Sequence, residues 1–140
     1  MWPQPVDFLA VDWNGTVVPF FGQDPYHQAL ATLRQWRASG TGLFIVSAAP
    51  QKVIEADVER VGLEVDGTIG CSTKGPTFRR LCQSHGRGLV VGDHPTDLRA
   101  ALEAGMPFYQ ACLEGQHAIA GRSGSFQSWA EAALLVPVQP

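Results

Sequence analysis

Three short apolar runs, each ending abruptly in an acidic or hydroxyl residue, constrain this chain more than any other feature. Phe8-Leu9-Ala10-Val11 leads into Asp12, Gly42-Leu43-Phe44-Ile45-Val46 into Ser47, and Gly88-Leu89-Val90-Val91 into Gly92-Asp93. A strand that is apolar on successive residues must be covered on both faces, which is the condition of a parallel sheet sandwiched by helices. Weaker strands are expected at Gly67–Gly70 and Pro107–Gln110. Helical stretches separate the runs: Pro25–Ala38, Gln51–Val61, Pro76–Ser84, Pro95–Ala104 and a short last one at Trp129–Leu135. Pro50 marks a start, while Gly40, Gly62 and Gly105 mark ends. The alternation predicts an α/β domain, a doubly wound, Rossmann-like parallel sheet flanked by helices.

At 140 residues the chain is expected to form one domain, with its core over about 7–135 and a poorly ordered tail at Val136–Pro140. Hydrophobic residues make up 45% and charged residues 16%, which excludes a disordered chain. A net charge of −3, without a basic run, argues against nucleic acid held by bulk charge. Apolar stretches fall far short of the roughly 20 residues of a membrane span. Met1-Trp2-Pro3-Gln4-Pro5 carries no basic or apolar leader pattern. Cys71, Cys82 and Cys112 have no metal or disulfide spacing, so a soluble cytoplasmic setting is the expectation.

In doubly wound folds ligands bind where strands deliver their carboxyl ends, and here those ends carry Asp12, Ser47 and Asp93. Any one of these alone reads equally well as a turn or cap residue. Together they form a constellation. A carboxylate at a buried strand end can attack a phosphoryl group and hold a covalent intermediate. Its charge repels phosphate, so a cation must neutralise the site, and oxygen ligands favour a hard ion such as Mg²⁺.

The segment Val11-Asp12-Trp13-Asn14-Gly15-Thr16-Val17 resembles the first motif of the haloacid dehalogenase (HAD) superfamily, strand-D-x-D-G-T. Ser47, then Lys74 in Ser72-Thr73-Lys74-Gly75-Pro76, then Gly92-Asp93-His94-Pro95-Thr96-Asp97 follow in the order of its second, third and fourth motifs. The resemblance covers about residues 7 to 110. It implies an HAD-like hydrolase in which Asp12 is the nucleophile, Thr16 orients it, and Ser47 and Lys74 bind the phosphoryl group. Asp12, Asp93, Asp97 and the backbone carbonyl of Asn14 are implied as ligands of Mg²⁺. Asp97 reads equally as a first-turn acid serving a helix dipole. His94 can face solvent or substrate.

Two departures matter. Phosphatases of the superfamily carry an acid at position 14, which protonates the leaving group and then activates water. Asn14 cannot exchange a proton, and losing that help typically costs 10²–10⁴-fold. The expected activity is hydrolysis of a phosphate ester, on a small molecule or a macromolecule, with slow turnover. The alternative is a weakened phosphate-binding or protein-interaction module. The second departure is size: Thr16–Ser47 and Ala48–Thr73 leave no room for a cap domain. Val17-Val18-Pro19-Phe20-Phe21 then stands as a flap that packs on the core or meets a partner, and a homo-oligomer is expected with Phe20 or Phe21 near the contact.

Overall fold

The computed structural model describes residues 5–138. Strand β1 (Phe8–Val11) is the spine: all four residues are buried, and alternate side chains enter opposite layers. Leu9 and Val11 join Leu43, Ile45, Leu89 and Val91 in one core layer. Phe8 and Ala10 join Phe44, Val46, Val90 and Phe108 in the other. The remaining elements follow as α1 (Ala29–Ala38), β2 (Gly42–Ser47), α2 (Gln51–Val61), β3 (Gly67–Gly70) and α3 (Lys74–His85). Then come β4 (Gly88–Gly92), α4 (Pro95–Glu103), β5 (Phe108–Ala111), β6 (Gly124–Phe126) and α5 (Trp129–Leu135). Helices α1, α2 and α5 supply Leu33, Trp36, Ile54 and Trp129 to the first layer, and α3 and α4 supply Phe78, Leu81, Leu98 and Ala101 to the second.

All pairings are parallel, in the order β3-β2-β1-β4-β5-β6. The chain winds outward from β1 to β3, then returns to lay β4 against the other edge of β1. This α/β Rossmann-like architecture therefore has its topological switch point between β1 and β4. Val11 pairs with Val91, and the Asp12 amide donates to the Val91 carbonyl at 2.9 Å, so Asp12 and Asp93 emerge side by side.

The helix boundaries have local causes. Helix α2 follows Pro50 and stops at Gly62, whose φ of 73° only glycine adopts readily. Helix α4 has Pro95 at its start, and the His94 side chain accepts from the Thr96 amide as its N-cap. Helix α1 begins at Ala29 rather than Pro25, because the Tyr26 amide is committed to the Val17 carbonyl at 2.9 Å and Gln28 takes a φ of 65°. Helix α3 begins at Lys74, two residues ahead of Pro76, which sits comfortably in its first turn. The tail differs from the expectation. Val136 is buried in the first core layer, and Pro137 accepts from the Val6 amide at 3.3 Å. Met1–Gln4 and Gln139–Pro140 lie outside the described residues. No helix among the described residues is long and apolar enough to cross a membrane.

Candidate active site

At the switch point the chain must turn sharply twice while leaving space for carboxylates. Gly15, at φ 78°, lies under Asp93, and a Cβ there would collide with that carboxylate. Gly92 is held in the same way, since a Cβ would come within 2.5 Å of Asp97 Oδ2. The two glycines let β1 and β4 end with Asp12, Asp93 and Asp97 converging. One oxygen from each lies within 4.8 Å of the others.

Lys74, the first residue of α3, reaches into this cluster. Its Nζ donates to Asp12 Oδ1 at 2.9 Å and to Asp97 Oδ1 at 2.7 Å. A lysine at a helix start opposes the helix dipole, so this position is paid for by the two carboxylates rather than by the helix. One ammonium against three carboxylates still leaves excess negative charge. Burial pushes Asp12 up to about 6; Lys74 opposes the shift and Asp93 adds to it. Burial likewise pushes Asp97 up to about 6, reinforced by the charge of Asp12. Asp93 is raised for the same leading reason. For Lys74, burial disfavours the ammonium, but Asp12 and Asp97 together outweigh it and hold the group above its ordinary value.

The cluster opens into a cavity of about 470 Å³ whose lining includes Asn14, Ser47, Ala49, His94 and Phe21. Ser47 Oγ accepts from the Ala49 amide at 3.3 Å, which leaves its hydroxyl proton for another acceptor. Among the described residues the buried Asn14 side-chain oxygen finds no hydrogen-bond partner, nor does Asp97 Oδ2. The Thr16 hydroxyl is also buried and unpartnered, and Thr16 is not among the residues lining the cavity. His94 lines it while its Nδ1 serves as the α4 cap. The flap divides: Val17 and Val18 are core residues, Phe21 is half-buried at the cavity, and Phe20 is 61% exposed.

One supporting group was not legible in the sequence. Trp13, between Asp12 and Asn14, is fully buried, and its indole N–H donates to Asp57 Oδ2 at 2.7 Å. The other oxygen, Asp57 Oδ1, accepts from the Gly22 amide at 3.0 Å and from Arg60 Nε at 2.8 Å. Arg60 continues to the Gln23 carbonyl at 2.8 Å. Helix α2 thus grips both the loop that bears Asp12 and the far end of the flap. Arg60, Trp13 and Gly22 hold the Asp57 carboxyl below the usual carboxylate range against the effect of burial. An aspartate in mid-helix and a tryptophan 44 residues away carry no mutual signal in a linear sequence.

No family model matches the chain, and no curated protein matches it. Solved structures do. One is a D,D-heptose 1,7-bisphosphate phosphatase from B. bronchiseptica, complexed with magnesium and phosphate. It is 14% identical, with a TM-score of 0.69, over 91% of this chain and 96% of that one. Another is a 3-deoxy-D-manno-octulosonate 8-phosphate phosphatase from Moraxella catarrhalis, with magnesium, phosphate and KDO. It is 16% identical with a TM-score of 0.69, over 93% and 84% of the two chains. A third is the cobalt-bound deoxy-D-mannose-octulosonate 8-phosphate phosphatase of Haemophilus influenzae, 12% identical with a TM-score of 0.69, over 88% and 78%.

Proposed function

We propose that this chain, which has the HAD-like fold, is a phosphohydrolase that cleaves phosphate monoesters with Asp12 as nucleophile. The observation that carries the reading is the convergence of Asp12, Asp93, Asp97 and Lys74 at the mouth of the sheet's switch point. An Asp12 carboxylate oxygen attacks phosphorus, the ester P–O bond breaks, and the alcohol leaves with a proton drawn from solvent. Water then attacks the phosphorus of the aspartyl-phosphate, releases inorganic phosphate and restores the carboxylate. Ser47 donates to a phosphoryl oxygen, and Lys74 offsets the charge that develops there.

The residues present fit a hard divalent cation. The donors are all oxygens, three carboxylates converge, and the buried Asn14 and Asp97 oxygens lack partners. Asp12, Asp93 and Asp97 would hold Mg²⁺, with the Asn14 backbone carbonyl as a further ligand. The ion would bring the site close to neutrality and polarise the phosphoryl oxygens.

Asn14 decides the rate. A nitrophenolate leaves without a proton donor, so the first step tolerates the amide, whereas the second lacks a base. Fresh protein in Mg²⁺ is expected to give a burst of nitrophenolate and a weak steady rate, with no burst in Asp12→Asn. Asn14→Asp raises steady turnover by up to about 10²–10⁴-fold. Hydrolysis that survives Asp12→Asn overturns the mechanism, and an unchanged rate in Asn14→Asp overturns the missing-base argument. Mass spectrometry must verify the intact amide, since Asn14 precedes Gly15 and is prone to deamidation. The Asn14 amide also favours a second reading, a phosphate-binding module, which the same assay identifies by phosphate binding without turnover.

A further inference from the structure

The mouth of the active cavity differs in chemistry from its floor. The floor holds the three acids, Ser47 and Lys74, and Lys74 is engaged by Asp12 and Asp97. At the mouth Ala48, His94 and Thr96 are exposed, and Phe21 and Ala49 are half-buried beside them. None of these five is a lysine, arginine, aspartate or glutamate. A phosphoryl group held on the floor therefore presents its leaving group to a wall that offers apolar contact and no charge partner.

Phe21 is the largest apolar member of that wall, and its turn is fixed at several points. The Gln23 amide donates to the Phe20 carbonyl at 3.1 Å and closes the turn that contains Phe21. Asp57 accepts from the Gly22 amide at 3.0 Å, and Arg60 donates to the Gln23 carbonyl at 2.8 Å. Phe21 also packs against the first core layer, and the Phe20 ring meets its ring edge-on at a centroid distance of 5.5 Å. A ring held this way offers a planar ligand contact area at little further cost in conformational entropy.

Asn14 points to the same ligand by a separate route. Its amide supplies no proton to a leaving group, so that group must depart as an anion. A phenol, with a pKa of about 10, does so far more readily than an aliphatic alcohol, whose hydroxyl ionises near the value for water, about 16.

We propose that the substrate is a phosphate monoester of a phenol and that Phe21 selects it by packing on the aromatic ring. An Asp12 carboxylate oxygen bonds to phosphorus and the P–O bond to the aryl oxygen breaks. The phenolate leaves with the bonding electron pair and takes its proton from solvent. The leaving-group argument rests on the phosphohydrolase reading; the ring contact does not.

The ring contact is tested with phosphonates, which cannot be hydrolysed. Calorimetry on the whole chain in Mg²⁺ compares benzylphosphonate, methylphosphonate and the size-matched cyclohexylmethylphosphonate. Benzylphosphonate is expected to bind about tenfold or more tighter than methylphosphonate and about threefold or more tighter than the saturated ring. In Phe21→Leu, which keeps an apolar side chain, the benzyl-to-cyclohexylmethyl ratio falls to near one. The ratio is taken within each variant, so a general weakening of the site divides out, and a thermal melt verifies the fold. The leaving group is tested by kcat/KM, which reports transfer to Asp12. Phenyl phosphate is expected to exceed cyclohexyl phosphate by about 10²-fold or more, and Asn14→Asp narrows that gap by about tenfold or more. No benzyl preference, no binding of benzylphosphonate, or a preference that survives Phe21→Leu overturns the ring contact. Cyclohexyl phosphate cleaved as readily as phenyl phosphate overturns the phenol assignment. Hydrolysis of nitrophenyl phosphate without the benzyl preference sinks this inference alone; the preference without any hydrolysis sinks the phosphohydrolase reading alone.

Discussion

Asp57 and the Asp12–Asp93–Asp97 cluster are both carboxylates withdrawn from water, and their surroundings treat them in opposite ways. Asp57 meets an indole N–H, a backbone amide and a guanidinium, and its pKa falls. The cluster offers three acids to one ammonium, and the pKa values of Asp12 and Asp97 rise to about 6. One region converts burial into stability; the other holds an electrostatic imbalance that a cation and a phosphate relieve together. The balanced region supports the unbalanced one, because Asp57 grips Trp13, which sits between Asp12 and Asn14.

The largest test of this contrast is Asp57→Ala. It strands a buried indole N–H and the Gly22 amide, and denaturant unfolding is expected to show a loss of about 2–4 kcal/mol. A loss under about 0.5 kcal/mol would erase the distinction. Next is metal: Mg²⁺ at about 100 times its Kd adds about 2.7 kcal/mol of stability by mass action, and Asp93→Ala removes most of that gain. Melts that coincide in EDTA and in excess Mg²⁺ would contradict the assigned ligands.

The smallest effect has the most informative sign. In EDTA at pH 8, Asp12→Asn removes a charge from a crowded site and is expected to stabilise the chain, by on the order of 1–2 kcal/mol. The pH dependence follows. Asp12 and Asp97 bind protons more tightly folded than unfolded, so their contribution is complete below the ordinary carboxylate range and is lost as pH rises through about 6. The lowered pKa of Asp57 acts the other way. Its contribution is present above that range and is lost as pH falls. Metal-free unfolding measured from acid to pH 8 should show a weaker upper slope in Asp12→Asn, the remainder belonging to Asp97, and a weaker lower slope in Asp57→Asn, the remainder belonging to Asp66. Slopes unchanged in both variants would assign the titration elsewhere.

Much of this was present in the linear sequence, for identifiable reasons. The runs at β1, β2 and β4 are apolar on every residue because both faces are covered, so they predicted a parallel sheet and located Asp12, Ser47 and Asp93 at its carboxyl edge. Helices α2 and α5 appear at their expected residues, since proline, glycine and serine at their ends act locally. What depends on distant partners was not visible. Strand β6 is three residues, Gly-Ser-Phe, and exists because Tyr109, Gln110 and Ala111 pair with it. The tail reads as unanchored, yet Val136 finds a place in the core. The flap reads as one apolar run, but packing buries Val17 and Val18 while leaving Phe20 in solvent. The sequence alone determined the sheet, its direction and the identity of the acids, because burial pattern and chain punctuation are local properties. Only the tertiary structure decided that Lys74 bridges Asp12 and Asp97 and that Asp57 holds Trp13. Those are matters of distance between residues far apart in the chain, and electrostatic energy depends on that distance rather than on sequence separation.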